Sequence, residues 1–71
     1  MSWKKYLISK GYLYSDLNDD YRKGLGWGHS IKIAKIMKGL FEIKKDNKVV
    51  FSDFIESEEE LKKQVNKVEN I

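Results

Sequence analysis

No cysteine occurs in this chain of 71 residues, and histidine and arginine occur once each, as His29 and Arg22. Without cysteine there is neither a disulfide framework nor a thiolate metal site to stabilise so short a chain. A single domain over residues 1–71 is expected, near the lower size limit at which apolar packing alone holds a core together. Long apolar runs are missing too, which excludes a membrane-spanning helix and the apolar centre of a signal peptide. The expected location is therefore cytoplasmic. One histidine without thiolates leaves a zinc-type ion no ligand set. No Ser/His/Asp arrangement can be read from the spacing, so neither an enzyme nor a bound cofactor is expected.

What is present is aromatic, apolar and basic. Trp3, Tyr6, Tyr12, Tyr14, Tyr21, Trp27, Phe41, Phe51 and Phe54 can each bury a large area, and with 41% apolar residues they argue against intrinsic disorder. The formal charge is +3, carried mostly by lysine. A basic domain suggests a polyanion, although A/T-rich codon usage also yields a lysine-rich, arginine-poor chain. The charge is segregated along the sequence. Lys32, Lys35, Lys38, Lys44, Lys45 and Lys48 outnumber Glu42 and Asp46 in the middle, whereas Asp53, Glu56, Glu58, Glu59 and Glu60 follow with no cation among them.

Local patterns suggest the elements. Ser2 can cap a short helix through about Lys10, with Trp3, Tyr6 and Leu7 on one face and Gly11 as its left-handed stop. Residues 12–14 read as a short edge strand. Residues 15–23 suggest a two-turn helix, with acids early and Arg22 and Lys23 late to match the macrodipole. From Ser30, an arc of roughly 160° collects Ile33, Ala34, Ile36, Met37, Leu40 and Phe41, with Lys32, Lys35 and Lys38 opposite, as on an amphipathic helix. Ile31 is the exception, lying among the lysines.

Residues 41–54 then switch to period two, as in a hairpin. A two-residue Asp46-Asn47 loop would put Val49 and Phe51 on the face of Glu42. A three-residue loop, Lys45-Asp46-Asn47, sets 44 opposite 48 and gathers Phe41, Ile43, Val49 and Phe51 on one face, with Asn47 left-handed. Finally, Ser57-x-x-Glu60 is a capping box leading into Leu61, Val65 and Val68 at helical spacing. The acids at 56–60 fit the first turn of that helix. They lack the alternating ligands and central glycine of a calcium loop.

The glycines of residues 24–28 do not make a phosphate loop. A dinucleotide fingerprint needs glycine where His29 stands, and a Walker loop needs G-K-S/T where Gly28-His29-Ser30 stands. They read as a flexible connector that lets Leu25 and Trp27 enter the core.

The expected fold is therefore α+β, with three to four short helices, an antiparallel hairpin, and residues 12–14 as a third strand. The order helix, short strand, helix, glycine-containing turn, helix, hairpin over residues 2–54 resembles a winged helix-turn-helix. That resemblance implies DNA as partner, with Lys32, Lys35 and Lys38 along a groove and Lys44, Lys45 and Lys48 on the backbone. His29 and Ser30 are the residues nearest to base edges. No Arg, Asn or Gln stands on the reading helix, so contact would be dominated by phosphate. The competing expectation is a protein-binding module or small inhibitor acting through its segregated charge or through exposed Trp3, Tyr12 and Tyr14. A membrane-surface helix over residues 30–45 ranks third, because the domain needs that apolar face for its own core.

Overall fold

Alternation, rather than helical spacing, governs the middle of the chain. In the computed structural model, which describes residues 3–70, α1 (Trp3–Ser9) is followed by five strands and a second helix. The strands are β1 (Leu13–Ser15), β2 (Asp20–Gly26), β3 (His29–Met37), β4 (Leu40–Lys45) and β5 (Lys48–Phe54), and α2 is Glu58–Glu69. All five form one antiparallel meander in the order β1-β2-β3-β4-β5. Both helices pack on the same face of this sheet, and among the described residues the other face carries no element.

This corrects the expected architecture. Among the described residues there are two helices, not three or four, and the winged-helix order is overturned. Residues 15–23 form a turn and the start of β2, and residues 30–41 form β3 and the start of β4. The reason lies in Ile31. A helix leaves it among lysines, whereas a strand puts Ile31 and Ile33 on one face, where both are fully buried. Their β-branched side chains also favour the pleated backbone. Lys32 and Ala34 then fall on the bare face, half-buried.

The core lies between that apolar face and the helices. Leu7, Ile31, Ile33, Phe41, Ile43, Leu61 and Val65 are completely buried there, with Trp3, Tyr12, Tyr21, Ile55 and Val68 nearly so. The Trp3 ring meets Tyr21 and Phe41 edge-on, with centroids 5.4 and 5.1 Å away. Gly11 adopts φ +94° and ends α1 as expected. The expected Ser2 cap lies outside the described residues. The expected Ser57 cap of α2 is present: its hydroxyl accepts from the Glu60 amide at 3.2 Å.

Three bulges adjust the strand faces. The β4–β5 turn contains two residues, Asp46 and Asn47, with φ +55° and +67°, as a type I′ turn requires. Lys45 pairs with Lys48 and Lys44 with Val49, correcting the three-residue register, while Asn47 is left-handed as expected. A bulge at Val50 then restores Phe51 to the core side, opposite Ile43. The scatter that argued against the shorter loop is absorbed by one extra residue. Val49 remains exposed on the bare side. Further bulges fall at Leu25 in β2 and Ile36 in β3.

Candidate nucleic-acid interface

Two hairpin turns stand side by side at one end of the sheet. Trp27-Gly28 joins β2 to β3, and Asp46-Asn47 joins β4 to β5. Asp46 fastens them together. Its Oδ2 lies 2.9 Å from His29 Nδ1, and its Oδ1 accepts from the Ser30 amide at 3.1 Å. Its own amide donates to the Ser30 carbonyl at 2.9 Å. The His29 hydrogen bond, followed by that from the Ser30 backbone, holds the Asp46 carboxyl below its ordinary pKa. His29 and Ser30, expected near base edges, are thus committed first to joining the two turns.

The expected lysines divide between the two ends of the sheet. Lys32 and Lys44 are directly opposite each other on the bare face, and Arg22 faces Lys32 from the other side. Lys45 and Lys48 flank the Asp46-Asn47 turn. All four lysines lie at the end that carries the two turns, Lys32 and Lys44 on the bare face and Lys45 and Lys48 on the helix-covered side, where Lys45 pairs with buried Ile31. Lys35 lies on the helix-covered side near the other end, and Lys38 sits in the β3–β4 turn. From Lys32 to Lys38 is about 20 Å of strand, so one continuous stripe does not form.

The row Arg22, Lys32, Lys44 opposes like charges across neighbouring strands, which is unfavourable in isolation. Local partners temper it. The Arg22 Nε donates to Asp20 Oδ1 at 2.8 Å, and this hydrogen bond to a nearly buried carboxylate raises the guanidinium's pKa. Lys44 lies 3.5 Å from Glu42, and Lys32 donates to the Asn47 side-chain oxygen at 2.8 Å. The row borders a shallow concavity of about 350 Å³ on the bare face. A second cleft of about 440 Å³ lies at the turns, lined by Leu25, His29, Lys45, Asp46, Lys48 and Val50. Lys45 also donates to the Val68 carbonyl at the end of α2, at 3.3 Å.

Trp27 reverses its expected place. Instead of entering the core it is 100% exposed, and its φ of +55° is left-handed. That backbone costs a residue with a Cβ about 1–2 kcal/mol, and Asn, Asp or Gly ordinarily fills the position. Leu25, its expected companion, is half-buried and packs against the core. The other proposed aromatic handles also change. Trp3 and Tyr12 are buried, whereas Tyr14 is half-exposed and its hydroxyl donates to Asp19 at 2.8 Å. Sequence reasoning missed Trp27 because it read the flanking glycines as slack. Their spacing around one aromatic was the available signal for a turn.

Among the described residues no cluster of His, Asp or Glu could hold a metal, and no helix is long and apolar enough to cross a membrane. No family model, curated protein or solved structure matches the chain.

Proposed function

We propose that this chain is a small, non-catalytic nucleic-acid-binding domain that holds phosphate at the turn-bearing end of its sheet. The observation that carries the reading is the cross-strand pair Lys32 and Lys44 on the bare face, with Lys45 and Lys48 at the same end of the sheet on its helix-covered side. Cations brought together across strands despite mutual repulsion suit a ligand with repeated negative charge. Arg22, held by Asp20, extends the row with a fork geometry that fits phosphate oxygens. The acidic run at Asp53 and 56–60 precedes and opens α2 at the other end, which favours one orientation of a polyanion.

The test is fluorescence anisotropy with labelled oligonucleotides at several salt concentrations. Affinity falls as salt rises, because each neutralised phosphate releases counterions. Replacing Lys32, Lys44 and Lys48 together with Gln weakens binding and lowers the salt slope by up to about 2. Replacing Lys35 and Lys38 with Gln leaves the slope nearly unchanged. Equal losses from both sets, or no binding even at low salt, would contradict the proposal.

A protein partner is the second reading, favoured by Ile36, Met37 and Phe54, all more than half exposed near the opposite end. An apolar strip of this kind commonly marks contact with another protein.

A further inference from the structure

We infer that the nucleic acid is single-stranded, with Trp27 as the stacking platform for one base and the adjacent cleft as the seat of its neighbour. This rests on the nucleic-acid reading and narrows it to one form of ligand. Three observations carry it. Trp27 is completely exposed at the tip of its turn, so its indole makes no contribution to the core. Gly26 and Gly28 flank it, and a Cβ built at either meets nothing within 4 Å, so open space adjoins the tip on both sides. The backbone under it is left-handed, in a position that glycine or asparagine would occupy more easily. A bulky aromatic kept at such a place gives the fold nothing, which points outward to a ligand.

The ligand's chemistry follows from the surroundings. His29, two residues beyond Trp27, lines the cleft, so their Cα atoms are at most about 7.6 Å apart. The cleft has Leu25 and Val50 as apolar walls and Lys48 at its margin. A flat apolar ring followed by a partly apolar slot and cations suits a strand with repeating bases and phosphates. In a duplex the base faces are already stacked on one another and unavailable to an indole. In a single strand every base has a free face, and stacking tolerates any sequence. That tolerance agrees with the scarcity of bidentate base-reading side chains at this end. A protein partner fits the tip less well, because an interface tryptophan is normally ringed by contacts that exclude water. Here its nearest neighbours along the chain are glycines, with His29 beyond.

The two tryptophans can be separated optically, since Trp3 is buried against Tyr21 and Phe41. The experiment titrates the full chain with an oligothymidylate and with a duplex of equal length, following tryptophan emission and, with labelled strands, anisotropy. The single strand is expected to quench the exposed tryptophan and to bind more tightly than the duplex. Trp27→Asn keeps the turn, because Asn-Gly is the favoured type I′ pair, and it lowers single-strand affinity roughly five- to 150-fold. Trp27→Phe retains most of the affinity, as a stacking role requires. Duplex binding changes little in either variant. If duplex and single strand bind equally and Trp27→Asn affects neither, this inference is overturned while the phosphate reading stands. If neither form binds at low salt, both are overturned. Quenching by anionic vesicles, with no response to oligonucleotide, would instead assign the tip to a lipid surface and overturn both.

Discussion

At Glu69 one carboxylate answers three donors from distant parts of the chain. Tyr12 donates to it at 2.9 Å, and Lys10 and Lys23 lie 3.0 and 3.2 Å from its oxygens. It joins the end of α1, the segment before β1, and β2 to the last turn of α2. Burial alone would raise its pKa, but hydrogen bonds from Lys10, Tyr12 and Lys23 outweigh that and hold it below 4.5. The same contact raises Lys10, while burial, ahead of the Glu69 hydrogen bond, pushes the Tyr12 hydroxyl far up. A carboxyl depressed in the folded state contributes stability that is complete above its unfolded value. That stability fades as pH falls through the folded value. Glu69→Gln should therefore lower the melting temperature at neutral pH, by about 2 kcal/mol in stability, and flatten its decline below pH 4.5. Parallel acid limbs for the two proteins, followed by circular dichroism, would show that the clasp contributes nothing. Nothing in the sequence marked Glu69, because its partners lie 46 to 59 residues away. Trp27 presents the opposite case, a side chain with no such partners held in a strained backbone.

At the level of elements, legibility followed the range of the interactions involved. The last helix depends on local signals, a serine N-cap and apolar residues at helical spacing, and both appear where expected. Ser57→Ala removes the oxygen that accepts from Glu60 and should cost about 1 kcal/mol, seen as a lower melting temperature. An unchanged melting curve would mean that the first turn of α2 contributes nothing to the folded state. The edge strand β1, the Gly11 stop and the existence of the last hairpin were also legible from nearby residues, but the hairpin's loop length and register were not, because the bulge at Val50 hid the two-residue turn. Residues 30–41 were not. Their apolar positions satisfy a helical arc almost as well as an alternating pattern, and Ile31 alone distinguishes the two. Whether such a segment becomes a strand depends on neighbours that can pair with it, β2 and β4, which sequence spacing does not reveal. The bulges at Leu25, Ile36 and Val50 add single-residue shifts that a strict period-two reading cannot contain. On β5, the same bulge and the charges of Lys48 and Asp53 also discourage a second sheet from extending the free edge.

For the whole molecule, the meander turns a charge pattern written along the chain into one arranged in space. Lysines that were to lie along one helix are divided between two ends of the sheet, and of those from the hairpin Lys44 joins the row of Lys32 and Arg22. Of the expected site residues, Lys32, Lys44, Lys45, Lys48, His29 and Ser30 lie at the turn-bearing end, though on both faces of the sheet, whereas Lys35 and Lys38 lie towards the other end. Trp27 joined them only once its segment was known to be a turn. Amide chemical shifts of the ¹⁵N-labelled protein test, residue by residue, the proposal that the turn-bearing end is the binding surface. On titration with a short oligothymidylate at low salt, shifts are expected to be confined to residues 25–32 and 44–50, including the Trp27 indole N–H. Shifts centred on residues 35–40 or on α1, or none at all, would contradict it.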